Sequence, residues 1–322
     1  MSTPRMRAVV QHALGGPEVL RVEEVPRPRP LPTEVLVRVR AAGVNPVDWQ
    51  TRTGSGMASV LGEPPFTVGW DVSGVVEEVG FGVTTLAPGD EVYGMPWFPR
   101  AAGAYAEYVT APARQFARKP GTLDHEHAAA VPLAGLTAWQ ALVDTARVSA
   151  GDRVLVHAAA GGVGHLAVQF AKYLGAHVIG TASAPRHAWL GQLGADELVD
   201  YTSQRFEEVV RDVDVVLDTI GDRRGDDTGR RSLSVLRPGG QYVSIVGVPP
   251  ELAAEAAEAG LRTHAVLVEP DGSALAAIAE LIEGGRVAVE VEEVFDLAEA
   301  AEAHRHGEAG HTRGKLVLRV AP

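Results

Sequence analysis

From about residue 7 to residue 120, apolar and polar positions alternate in short runs. "RAVVQ", "VLRVEEV", "EVLVRVRAA", "VSGVVEEVG", "DEVYGM" and "YAEYVTAP" are rich in Val and Tyr, with Gly and Pro between them. That period and punctuation predict short β-strands forming a small barrel or sandwich. "FGVTTLAPGDEV" predicts a loop, a turn and a strand. Near residue 123 the pattern changes. "DHEHAAAVPLAGLTAWQALVDTA" has helical content, and apolar strands then alternate with amphipathic helices. "RVLVHAA", "HVIGTAS", "ELVDY", "VDVVLDTIG" and "QYVSIVG" predict strands; "GHLAVQFAKYLG", "PRHAWLGQLG", "QRFEEVVRD" and "RRSLSVLRPGG" predict the helices between them. This order predicts an α/β doubly wound parallel sheet over residues 124–265. In the tail, "DGSALAAIAELIEGGRV" and "DLAEAAEAHRHG" predict helices and "KLVLRV" a last strand. That strand is expected to rejoin the β-rich domain, making it discontinuous over 1–123 and 266–322. "ELAAEAAEAG" is Ala/Glu-biased and too short to count as an element. No internal repeat is visible.

Composition narrows the chemistry. The 322 residues are 46% hydrophobic and 22% charged, as expected of a globular chain. A formal net charge of −12 is the wrong sign for a phosphate-backbone binder. With no cysteine there is no disulfide, no thiolate catalysis and no sulfur-ligated metal. The start, "MSTPRMRAVVQHALGG", reads as no signal peptide. "AAAVPLAGLTAWQALV" is too short and too interrupted to span a bilayer. The expected location is the cytoplasm.

The most specific local signal is "VLVHAAAGGVGHLAVQFAKYLGA". A buried strand runs through Ala160, Gly161, Gly162, Val163 and Gly164 into an amphipathic helix. That context suits a dinucleotide pyrophosphate, held by the N–H groups of the helix start. Ala159 stands where the first glycine of such a turn is usual, which is tolerable if its φ is negative. The next strand chooses the cofactor. "HVIGTASAPRH" offers no acid for a ribose 2′-hydroxyl; it offers Ser183, Arg186 and His187, which suit the 2′-phosphate of NADPH. Tyr201, after the third strand, is placed to flank the adenine ribose.

"GVNPVDWQ" follows the strand "EVLVRVRAA" and has the form of a helix start: Asn45 at the N-cap, Pro46 at the first position, Asp48 at the third. The histidines of "DHEHAAA" and "EAHRHGEAGH" lie at expected helix ends with charged neighbours and read as solvated. "DRRGDDTGRR" reads as an exposed loop and helix start, and "MPWFPRAAGAY" as a turn-rich loop. No Gly-x-Ser-x-Gly elbow supports a serine hydrolase.

The order of a β-rich part, "AAAGGVG", "VLDTIG", "LRPGGQYVSIVG" and a closing "GHTRGKLVL" resembles the medium-chain dehydrogenase/reductase superfamily, in particular its zinc-free quinone oxidoreductase branch. The likeness runs from "GGPEVLRVEEVP" to "GKLVL". It implies a Rossmann NADP-binding domain and a discontinuous GroES-like catalytic domain. Zinc-dependent members hold their catalytic metal at positions matched here by Asn45, Trp70 and about Leu133, none of them a zinc ligand. The resemblance then implies no metal. It places Asn45, Asp48 and Gln50 on the substrate side of the nicotinamide, with Gln50 where many relatives have Tyr. It places Thr137 against the nicotinamide, and backbone groups of "YVSIVG", including Ser244 and Ile245, at the carboxamide. It implies a homodimer.

The expectation is an NADPH-dependent enzyme that gives hydride to a quinone or an α,β-unsaturated carbonyl compound. Two alternatives stay open: an enoyl-thioester or natural-product tailoring reductase, and a non-catalytic NADPH-binding sensor.

Overall fold

A computed structural model describes residues 4–222 and 225–321. Arg223 and Arg224, within "DRRGDDTGRR", lie outside the described residues. Two compact units emerge. One holds Met1–Leu136, Glu269–Gly285 and Val289–Pro322; the other holds Thr137–Val268 and Arg286–Ala288. The segment 125–136 goes with the first unit, because Ala129 and Ala130 pack against Ala41 and Val317 of its strands.

Strands are numbered along the chain. In the first unit, β1 (Arg5–Val10) pairs antiparallel with β2 (Arg21–Pro26). The larger sheet is built from β3 (Glu34–Val44), β4 (Val72–Val79), β5 (Glu91–Gly94), β6 (Tyr108–Pro112), β7 (Phe116–Arg118), β14 (Val291–Asp296) and β15 (Lys315–Arg319). Its order is β14-β15-β3-β4-β5-β7, with β6 also on β3. β3 is buried along almost its whole length, which is why "EVLVRVRAAGV" is nearly continuous in small and branched apolar residues. Val35, Val37, Val39, Val72, Phe116 and Leu318 lie in one core. The last strand does rejoin this unit: β15 runs antiparallel to β3, with Val317 opposite Gly43.

The second unit carries β8 (Arg153–Val156), β9 (His177–Ala182), β10 (Glu197–Asp200), β11 (Val213–Asp218), β12 (Leu236–Ser244) and β13 (Arg262–Ala265). All pairings are parallel, in the order β10-β9-β8-β11-β12-β13. The strand order reverses at β8 and β11, the position where open α/β sheets bind ligands beyond their strand ends.

Two readings change. "LRPGG" is not a helix end; it lies inside β12, where the register against β11 shifts between Val213 and Val215 and Gly239 takes a φ of 76°. "ELAAEAAEAG" is a real helix, Pro250–Glu258, which buries Leu252 and Ala256 one turn apart. Beyond β12 the sheet continues into β13, with Tyr242 opposite Thr263.

Candidate active site

The helix Pro46–Arg52 starts directly after β3. Asn45 caps it in extended conformation, and its N–H donates to Asp48 Oδ2 at 2.7 Å. Both side chains point inward. Asn45 is 1% exposed and Asp48 is wholly buried, whereas Gln50 is half-buried. Asn45 Nδ2 donates to Asp71 Oδ2 at 2.8 Å, and its Oδ1 accepts from Lys315 Nζ. Lys315 Nζ also donates to the Val44 carbonyl at 2.9 Å and lies 3.6 Å from Asp71 Oδ2. Asp71 Oδ1 accepts from the Leu133 N–H at 2.6 Å. Four segments distant in sequence thus meet on one buried ion pair. Burial raises the Asp71 pKa, opposed by Lys315; burial lowers the Lys315 pKa, opposed by Asp71.

Asp48 belongs to a second chain of bonds. Its Oδ2 also accepts from the Tyr105 hydroxyl at 2.9 Å. That hydroxyl lies 3.2 Å from His304 Nε2, while His304 Nδ1 faces Arg52 at 3.0 Å. Arg52 only donates, so Nδ1 accepts and the imidazole proton sits on Nε2. Arg52 is also paired with Glu308. Asp48 Oδ1 is buried with no partner. Burial pushes the Asp48 pKa up to about 7, against the hydrogen bonds from Asn45 and Tyr105, and pushes His304 down to about 3 with help from Arg52. His304 therefore corrects the expectation of solvated helix-end histidines: it is buried on the inner face of the helix Ala300–Ala309. Gln50 differs from its neighbours. Its backbone carbonyl accepts from Thr53 and Ser55 hydroxyls, but its side-chain amide has no hydrogen-bond partner among the described residues.

In the second unit, the turn after β8 has the anticipated form. Gly161 is the N-cap of the helix Gly162–Tyr173. Ala159 does not adopt a positive φ; Ala158 does, at 48°. Gly164 is there for close packing: a Cβ would lie 2.2 Å from the Ala158 carbonyl oxygen and 2.8 Å from Ala159 Cα. Ala160, Gly161, Gly162 and Val163 are partly exposed. N–H groups of the first helical turn have no acceptor within a helix, so this rim can hold an anion.

At the end of β9, Ser183 precedes the short helix Ala184–Arg186. The register sets Ala182 opposite Asp200, so Tyr201, which is exposed, follows beside Ser183. His187 Nε2 lies 3.0 Å from the Ala182 carbonyl and is turned back to the backbone. Asp200 is an acid that the sequence pattern did not bring to this corner. Its carboxylate is engaged by Thr202 and Ser203, whose hydrogen bonds, Thr202 first, hold it below the usual carboxylate range. Thr137 is buried in the helix Pro132–Trp139. At the end of β12 the Ile245 N–H donates to the Asp218 carbonyl, the Val246 N–H faces Ser244 Oγ at 3.3 Å, and the Ser244 carbonyl accepts from Val266. Among the described residues, no turn or loop N–H donates to the Ile245 carbonyl.

Residues 31–121 match the alcohol dehydrogenase GroES-like domain, and residues 193–318 match the family described as zinc-binding dehydrogenase. A 2-haloacrylate reductase from a Burkholderia species is 37% identical over 97% of this chain and 98% of the relative. An Arabidopsis thaliana chloroplastic NADPH-dependent alkenal/one oxidoreductase is 35% identical over 98% of this chain and 80% of the relative. The structure of a quinone oxidoreductase from Coxiella burnetii superposes with a TM-score of 0.90 at 38% identity, covering 99% of this chain and 100% of that one. The residues here do not fit zinc. Asn45 is held between Asp71 and an ammonium, the Trp70 indole N–H donates to the Arg100 carbonyl at 2.7 Å, and Leu133 has no donor atom to give. No cluster of three or more His, Cys, Asp or Glu suited to a metal occurs among the described residues.

Proposed function

The chain is an oxidoreductase of the medium-chain dehydrogenase/reductase family, and we propose that it transfers hydride from NADPH to quinones or α,β-unsaturated carbonyl compounds without a metal ion. The observation that carries this is the turn from Ala158 to Gly164, where a left-handed Ala158 and the missing side chain of Gly164 let a helix start against the end of β8. Ser183 and Arg186 favour a 2′-phosphate there, and the acid that the register brings to this corner, Asp200, is bound to its own turn.

NADPH supplies the hydride; the chain binds it and places the acceptor. Gln50 is only half-buried and its side-chain amide has hydrogen-bonding capacity left, so that amide donates to the acceptor carbonyl and stabilises the developing oxyanion. Asn45 and Asp48, both enclosed, position the helix that carries it. Solvent supplies the proton. The names of the relatives support an electron-poor alkene or quinone as acceptor. No helix of the described residues is long and apolar enough to cross a membrane; we place the protein in the cytoplasm, as a homodimer.

The test is loss of nicotinamide absorbance with a panel of quinones, enones and enoyl thioesters, with NADPH and NADH in parallel and a chelator added to each. NADPH oxidation that resists the chelator is expected. Turnover abolished by the chelator overturns the metal-free reading, and a preference for NADH overturns the reading of Ser183 and Arg186. Gln50→Ala is expected to lower kcat/KM about tenfold with cofactor affinity unchanged.

A further inference from the structure

A buried histidine sits directly under the phosphate-binding turn, and the reaction outlined above makes no use of it. His157, between β8 and Ala158, is 1% exposed. Its Nδ1 lies 3.3 Å from Thr181 Oγ1, and its Nε2 lies 2.9 Å from Ser232 Oγ. The Ser232 hydroxyl donates to the Thr228 carbonyl at 2.7 Å, and Thr181 Oγ1 accepts from the Ala158 N–H at 3.2 Å.

For a neutral imidazole, the ends of this series fix every direction within it. A backbone N–H can only donate and a carbonyl can only accept. Ser232 gives its proton to Thr228, so it accepts from His157 Nε2–H. His157 Nδ1 is then an acceptor and takes the Thr181 proton. Thr181 is left with lone pairs for the Ala158 N–H. The result is a one-way series from Ala158 through Thr181, His157 and Ser232 to Thr228. It requires a neutral imidazole, and burial does lower the His157 pKa, to about 4.

Ala158 is the residue that needs holding. It has a φ of 48° without being glycine, a conformation that costs free energy unless its surroundings enforce it. Its carbonyl accepts from the Gly161 N–H at 2.9 Å and is the atom against which Gly164 packs. A rotation of the 158 peptide would therefore move the start of the helix Gly162–Tyr173.

We infer that His157, with Thr181 and Ser232, is a positioning device that locks Ala158 in its left-handed conformation and thereby sets the affinity of the turn for the cofactor pyrophosphate. This rests on the cofactor assignment above. The inner strand ends β8 and β9 and the helix Thr228–Leu233 are tied by side chains, so the turn is shaped before any ligand arrives.

The test uses Thr181→Val, which keeps the shape and removes the central hydroxyl, and Thr181→Ser, which keeps the hydroxyl. NADPH affinity is measured by titration, KM and kcat at saturating acceptor, and thermal stability alongside. Thr181→Val is expected to weaken NADPH binding and raise its KM about tenfold, with kcat within about twofold; Thr181→Ser restores both. A purely structural role would lower thermal stability and the active fraction but leave the KM of the folded enzyme unchanged, and that result overturns the inference. If Thr181→Val does not fold, His157→Gln against His157→Leu decides the matter. Gln can replace both ring contacts and Leu neither, so equal KM values in the two overturn it. A wild-type protein that binds no nicotinamide nucleotide would remove the cofactor assignment itself; normal wild-type binding with unchanged variants removes the positioning role alone.

Discussion

Asp48 shows how far a residue's surroundings can override its type. Sequence position made it a helix-start acid, and it is one, but the neighbours that enclose it were not legible. Tyr105 and His304 come from segments with no local tie to "NPVDWQ", and Asp71 sits behind Trp70 in a strand start that reads as apolar. The carboxyl titrates at about 7 folded against 3.8 in a model peptide. Across that window the folded chain holds a proton the unfolded chain has lost, so the contribution of Asp48 to stability falls as pH rises. His157 and His304 act oppositely: the unfolded chain binds their protons first, so their burial favours the fold increasingly as pH rises towards 6.5. Asp48→Asn removes only the first effect. Its unfolding free energy is expected to climb more steeply than wild type between pH of about 4 and 7, by about 1.4 kcal/mol per unit, in urea titrations at several pH values. Equal slopes would mean that Asp48 is ionised throughout.

At the scale of elements, the turn after β8 was readable because glycine spacing and strand–helix order are local signals. Its key strain was not: the sequence asked only that Ala159 avoid a positive φ, which it does, and the left-handed residue is its neighbour Ala158. Gly164→Ala tests the close packing. A Cβ 2.2 Å from a backbone oxygen cannot be absorbed by a side-chain shift, so the helix must move. A stability loss of about 1–3 kcal/mol and loss of measurable NADPH binding are expected, by calorimetry and titration. An unchanged affinity would show that the helix start does not hold the cofactor. The missed elements fail for a common reason. β13 and β14 are short and partly exposed, so neither "RTHA" nor the acid-rich "VEEVFD" shows the alternation that a half-buried strand imprints. The helix Pro250–Glu258 buries only two side chains, too few to write a visible stripe.

For the molecule as a whole, the division into a discontinuous β-rich unit and a parallel α/β unit was legible, because periodicity changes where the chain changes unit. What could not be read was the pairing of charges across the long sequence gap between Asp71 and Lys315. Lys315→Met leaves Asp71 buried opposite an apolar group and is expected to destabilise the fold by about 3–5 kcal/mol in urea unfolding. Adding Asp71→Asn should recover a large part of that; a double variant as unstable as the sum would show the two do not interact. β15 has a further consequence. It lies beside β3, near the centre of the larger sheet, yet it leaves the ribosome after every other strand described. During synthesis the α/β unit, almost continuous in sequence, has all its strands in hand first. The β-rich unit, begun earlier, waits with the Ala41–Val44 end of β3 lacking its partner and Asp71 without its ammonium, so the nascent protein matures in the reverse of its reading order.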